Sequence, residues 1–220
     1  MPLPHIEPYE LPAPAQLPPN RADWRPDPAR AVLLIHDMQH YFLRPYRTGA
    51  QPLDGALANI AALGERARAA GVPVVYTAKP GDMPPEHRGL EGDFWGAGMR
   101  AVPEQSDIAA ALRPQEGDVL VTKRRYSAFV GTDLAERLER MGRDQLLVTG
   151  VYAHIGCLLT AADAFMRDIQ PFLIADATAD FSAEDHRHAL RYVAQRCGMA
   201  LSTREAAAAL SPAPAFDSRV

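Results

Sequence analysis

Cysteine is scarce: Cys157 and Cys197 are the only two in 220 residues, which gives no support to a disulfide framework and points to a reducing cytoplasm. There is no apolar run of the roughly 18 residues that span a bilayer, and no basic stretch leading into an apolar one at the N-terminus, as a secretory leader needs. Positive charge is not in excess either. Lys and Arg number 23 against 27 Asp and Glu, a net charge of −4, so no basic stripe is offered to nucleic acid or anionic lipid. Repeats and heptads are missing too. What remains is a chain with an ordinary 47% of hydrophobic residues, long enough for one domain with a full core and too short for two catalytic ones.

Proline is the compositional outlier, with 9 of 20 placed before Ala29. Residues 1–28 therefore cannot form a helix or a central strand and are expected to be an extended arm. Its Ile6, Tyr9, Leu11, Leu17 and Trp24 favour docking over disorder, on its own domain or on a neighbour's. From Ala31 short apolar runs alternate with helix-period segments, which predicts βα units around a parallel sheet, an α/β fold. Six strands are expected: Ala31–His36, Val72–Ala78, Val119–Thr122, Gln145–Gly150, Phe172–Asp176 and a weaker Met199–Ser202.

Helical faces follow between the strands. Leu57, Ile60, Ala61 and Ala67 share one, stopped by Gly71 and Pro73; Thr132 caps another carrying Leu134, Leu138 and Met141. Ile155, Leu158, Leu159, Ala162, Phe165 and Met166 are expected to form a core-facing stripe. Ser182 and Asp185 make a capping box before Leu190, Val193, Ala194 and Cys197. Two segments resist assignment, residues 44–53 and 80–103; the second follows a strand's C-terminal end, where open α/β sheets bind ligands, and reads as a substrate lid.

On this scaffold Asp37, Lys79, Lys123 and Tyr152 all fall at C-terminal strand ends and share one rim. In isolation Asp37 reads as a helix cap. The motifs LLIHDMQHYF (Leu33–Phe42), YTAKPG (Tyr76–Gly81), DFWGAGMR (Asp93–Arg100), KRRYSAF (Lys123–Phe129), the stretch from Thr149 to Phe172 that opens TGVYAHIGC, and ADATADFS (Ala175–Ser182) change that. Together they resemble the isochorismatase family over nearly all of the chain.

The resemblance implies a Rossmann-like three-layer α/β/α sandwich with a six-stranded, mainly parallel sheet, a homodimer or larger homo-oligomer, and neither metal nor other cofactor. It divides the chain into the arm (1–28), a hydrolase domain (29–208) and a short tail (209–220). The implied reaction is hydrolysis of the enolpyruvyl ether of an isochorismate-type ring, releasing pyruvate. Asp37, Lys123 and Gly156 are the implied catalytic positions, and Phe42, Lys79, Arg88, Trp95, Tyr126 and Tyr152 the implied substrate-binding ones. Arg88 is the implied carboxylate clamp, and the peptide joining Val151 to Tyr152 is implied to be cis.

The wider superfamily includes amidohydrolases with a thiolate nucleophile. Here the nucleophile position falls on Gly156, while Cys157 is turned by about 100° around the helix and reads as a buried small hydrophobe. Relatives usually carry Gln at Lys79 and Trp at Arg124; Lys79 either binds a carboxylate or points to solvent. His186 and His188, two apart on a helix, face different sides and are expected at the surface rather than on a metal. His36 reads as structural, and His154 is left unassigned. The stretches Tyr41–Pro45 and Asp93–Ala101 look most like the phenazine-pathway enzyme, which acts on 2-amino-2-deoxyisochorismate, and with Val220 as its last residue the chain is expected to carry no aryl carrier domain. Competing readings are a cysteine amidohydrolase using Cys157 and a silent scaffold that docks a carrier protein.

Overall fold

The computed structural model describes residues 3–210. Six strands form one sheet: β1 (Ala31–His36), β2 (Val74–Ala78), β3 (Val119–Thr122), β4 (Gln145–Val151), β5 (Gln170–Ala179) and β6 (Met199–Leu201). Their order is β3-β2-β1-β4-β5-β6, and every pairing is parallel. The apolar runs of β1, β2, β4 and β5 are buried on both faces, as parallel strands between helices are, whereas the edge strand β3 leaves Leu120 exposed. Alternate residues part to opposite sides: Leu33, Ile35, Leu147 and Phe172 join one core, Val32, Leu34, Leu146 and Leu173 the other.

Helices α1 (Leu53–Ala69) and α5 (Thr203–Ala209) cover the first core through Ile60, Leu63 and Ala206. Helices α2 (Leu134–Arg140), α3 (Leu158–Phe165) and α4 (Ala183–Arg196) cover the second through Leu138, Leu158 and Val193. The three layers follow. α5, opened by a Ser202–Glu205 capping box, lies where the sequence reading has its domain end and tail; from 211 onward that tail is outside the described residues.

One expected face is corrected. In α3 the buried residues are Leu158, Thr160, Ala161 and Ala164, whereas Leu159, Phe165 and Met166 are exposed at 40%, 44% and 75%. Small side chains let the helix lie close to β5, so the largest residues of the stripe are the ones left outside.

The arm docks on its own domain. Ile6 is buried and bridges to Tyr46, and Tyr9 packs against the first core. Farther along, the Asn20 side chain pairs with both backbone groups of Ala200, and Gln145 holds Asp27 and Arg25. Segment 80–103 is not structureless: it folds into two short helical turns, Pro85–Arg88 and Glu91–Trp95. Its ends meet where Asp82 N–H donates to Met99 O at 2.8 Å. A side chain on Gly81 would overlap the backbone of Arg100 and Ala101, so only glycine fits this junction.

Topology locates the site. β1 pairs with β2 on one side and β4 on the other, so the chain reverses its direction of sheet growth there, and the crevice beyond those strand ends is where open α/β sheets take ligands. His36 lies level with Thr77 and Gly150, which brings Asp37, Lys79 and Tyr152 to one rim.

Candidate active site

Asp37 is the first residue past β1 and takes a positive φ of 51°, which Asp tolerates better than most side chains. It is nearly buried, at 4% exposure. Thr77 Oγ1 accepts from the Asp37 N–H at 3.1 Å and donates to Asp37 Oδ1 at 2.7 Å, fixing the carboxylate. Its other oxygen lies 2.8 Å from Lys123 Nζ. That ammonium also donates to the carbonyl of Arg125 at 2.8 Å and that of Tyr126 at 3.3 Å, so its three donors are all engaged.

Burial by itself raises the Asp37 carboxyl, but the Lys123 charge, with His36 and Lys79, overrides it and holds the group at about 2. His36 is pushed down to about 4, chiefly by burial. It is therefore uncharged at neutral pH, and the lysines carry the effect.

His36 sits under the crevice with Nδ1 2.9 Å from Val151 O. A Cβ on Gly156 would collide with this imidazole ring. The turn bearing Gly156 (Ala153–Cys157) is π-wound, with Cys157 N–H donating to Tyr152 O at 3.2 Å, and the Val151–Tyr152 peptide before it is cis. Cys157 is fully buried in the second core, and burial pushes its thiol up.

All nine site residues named from the sequence line one cleft. Tyr152 donates from its hydroxyl to Phe42 O at 2.6 Å, so Phe42 is both core and wall. Trp95 Nε1 donates to Tyr126 Oη at 2.6 Å, tying the lid to the loop after β3. Arg88 is buried, and its Nε and Nη2 donate to Gly96 O at 3.1 and 2.9 Å. It lies along Gly98, where a Cβ would meet the guanidinium.

Lys79 does not point to solvent, and the carboxylate it meets belongs to the protein. It is 7% exposed, and its ammonium is hydrogen-bonded to Glu91 of the lid. Arg124, by contrast, is exposed and absent from the wall.

Sequence reasoning passes over several groups. Glu91 lines the cleft although nothing in RGLEG sets it apart from Asp93. Phe181, in the quoted ADATADFS stretch, lies 4.3 Å from the Tyr152 ring. Asp180 beside it is fully buried and holds His154 through both the ring Nδ1 and the backbone N–H, each at 2.6 Å. Tyr9 Oη of the arm accepts from Asp180 N–H at 2.7 Å and lies 3.2 Å from His186 Nδ1. His186 is thus buried, not at the surface: Tyr9 and Thr178 satisfy its two ring nitrogens, while His188 is exposed. Among the described residues no cluster of three or more His, Cys, Asp or Glu side chains is arranged for a metal ion, and no helix is long and apolar enough to cross a membrane.

The cleft therefore joins a fixed carboxylate, an ammonium beside it and a glycine where a nucleophile's side chain has no room. Residues 31–205 match the family model described as the isochorismatase domain. The chain belongs to the isochorismatase family. It is 53% identical over 203 residues to the phenazine biosynthesis protein PhzD of Pseudomonas fluorescens, covering 92% of this chain and 97% of the relative. Identity to the isochorismatase of Bacillus subtilis is 48%, over 98% of this chain and 69% of the relative. Identity to the enterobactin synthase component B of Escherichia coli K12 is 46%, over 97% and 74%. Among solved structures, a cysteine hydrolase from Pseudomonas syringae superposes with a TM-score of 0.78 at 28% identity, covering 88% of this chain and 97% of the other. This member of the isochorismatase family thus shares its fold with thiol enzymes while carrying glycine at 156.

Proposed function

We propose that this enzyme hydrolyses the enolpyruvyl ether of 2-amino-2-deoxyisochorismate or isochorismate, with Asp37 as general acid. Protonated Asp37 gives its proton to the terminal CH₂ carbon of the vinyl ether, and the double bond's electrons form the new C–H bond. The resulting oxocarbenium ion faces the Asp37 carboxylate. Water adds to the cation while Asp37 accepts a proton from it, which restores the acid. The hemiketal then collapses, the ring oxygen leaves with a proton, and pyruvate is released.

The observation that supports this most is a buried acid lining the same cleft as a glycine that packs against the His36 ring at the implied nucleophile position. Lys123 favours the ionised form of Asp37. A substrate carboxylate near Lys123, together with exclusion of water, moves the carboxyl upward on binding. Arg88 receives the second carboxylate through Nη1, the one terminal nitrogen not given to Gly96. Phe42, Trp95, Tyr126 and Tyr152 wall the ring.

The same reading places the enzyme in phenazine-like or siderophore-like biosynthesis, in the cytoplasm, as a homodimer or larger assembly of a 29–208 hydrolase domain with its arm. The names of the relatives support the pathway, and the exposed Leu159, Phe165 and Met166 support an interface.

Pyruvate release, coupled to lactate dehydrogenase, should be seen with both rings side by side. Asp37→Asn is expected to lose about 10²–10⁴-fold in kcat while still binding substrate, and Cys157→Ala to keep near-normal turnover. Loss of activity in Cys157→Ala, or a thioester trapped during turnover, would reject the reading in favour of a thiol enzyme. Inactivity of the unaltered protein toward both rings would favour a scaffold.

A further inference from the structure

The Lys79–Glu91 pair joins the sheet to the lid inside the cleft. Glu91 is 7% exposed; Oε2 accepts from Lys79 and lies 3.6 Å from Arg88 Nη1, while Oε1 is buried with no hydrogen-bond partner. Burying a carboxylate is costly, and leaving one of its oxygens unmet adds to the cost. An ion in so poor a place calls for a reason.

The reason lies in what surrounds Asp37. From β1 comes His36, uncharged at neutral pH; from β2 the Thr77 hydroxyl and, just beyond, Lys79; from the loop after β3, Lys123 and the Tyr126 ring. The lid brings Arg88 and Glu91, and the turn after β4 brings Tyr152, whose hydroxyl burial keeps protonated, as it does the Cys157 thiol behind it. Asp180, farther off, is paired with His154. Asp37 therefore answers mainly to two ammonium groups, and both oppose its taking up a proton.

Lys123 is bound to Asp37 itself and to two carbonyls. The Lys79 backbone is fixed by the Gln39 side chain, which accepts from its N–H at 2.7 Å and donates to its carbonyl at 2.9 Å, and the residue is 7% exposed. Its Nζ lies 5.7 Å from the Tyr126 ring centroid, inside the cleft.

We propose that Glu91 is a positioning residue for proton transfer: its carboxylate draws the Lys79 ammonium toward the lid and offsets its charge there, leaving Lys123 as the dominant charge on Asp37. The acid is thereby coupled to the lid, since the cancelling charge is present only while the second helical turn is seated. This rests on Asp37 being the general acid.

The test is kcat against pH, by pyruvate release, for the unaltered enzyme, Glu91→Gln, Lys79→Gln and the double variant. An acid-catalysed step is lost on the high-pH limb. Glu91→Gln leaves Lys79 uncancelled, so that limb should move to lower pH by about one unit, with an about tenfold loss at neutral pH. Lys79→Gln removes one of the two ammonium groups that oppose protonation of Asp37, while Arg88 still faces Glu91, so the limb should move to higher pH. The double variant should return close to the starting position. Opposite shifts that vanish together do not arise from a loosened lid. If both single variants raise KM and leave the limb in place, or move it the same way, the proposal is overturned while the assigned reaction stands. An unaltered enzyme that releases no pyruvate from either ring overturns the reaction and this inference with it.

Discussion

Gly156 and His36 interlock, and the fit has a measurable cost. Replacing Gly156 by Ala puts a methyl group into the space of a buried imidazole whose Nδ1 is engaged by Val151 O. Overpacking of this kind costs about 1–3 kcal/mol. Gly156→Ala is therefore expected to lower Tm and to cut kcat, because the displaced ring adjoins Asp37, 3.8 Å away. Unchanged Tm and turnover would mean that the ring has room to move. A cysteine at 156 meets the same obstacle and should not create an amidase. At this scale the sequence is informative where chemistry and motif coincide: Asp37, Lys123 and Arg88 are found in the cleft together. It is silent on Glu91, because a carboxylate in a polar lid looks like a solvated one until its lysine partner is seen beside it. His186 misleads for the converse reason, since only the fold brings Tyr9 and Thr178 to its two nitrogens.

Among the elements, the arm reaches farthest. Its Tyr9 hydroxyl accepts from the N–H of Asp180, whose carboxylate holds His154 on the π-wound turn and whose neighbour Phe181 packs on Tyr152. Tyr9→Phe leaves that buried N–H and one His186 nitrogen unpaired, which costs about 1–3 kcal/mol. Denaturant unfolding should show a lower midpoint with unchanged slope; an unaltered midpoint would mean that water replaces the hydroxyl. The strands are legible because short apolar runs, separated by helix-period segments, are too short for helices and fit a parallel sheet. The buried face of α3 is not, because periodicity weighs side chains by size. Ala161 and Ala164 win the inner face through close approach, and the π-wound turn before them shifts the phase from which the period is counted.

For the molecule as a whole, the two buried histidines set the acid limit. His36 and His186 both sit at about 4, pushed down chiefly by burial from a usual value near 6.5. The unfolded chain therefore binds protons that the folded one refuses. Their stabilising effect is complete above about pH 6.5 and is lost as pH falls toward 4. Asp37, held at about 2, adds stability that disappears only below about pH 4. Tm is expected to fall by roughly 5 °C or more between pH 7 and pH 5, and His186→Gln to flatten that fall. A flat profile in the unaltered protein would mean that the rings take up protons while folded. Parallel order and layering follow from the βα alternation, whereas the arm's path across its own domain does not, since composition alone does not say which copy it crosses.

The pinch at Gly81, where residues 82 and 99 meet backbone to backbone, leaves the lid attached to the sheet as a buckle is to a belt. Between the two anchor points everything except Glu91, whose carboxylate meets Lys79, is free to vary in length and chemistry without disturbing the acid below. Descent from a common ancestor could thus refashion what the enzyme accepts by rewriting one cassette, with the proton-handling floor inherited intact.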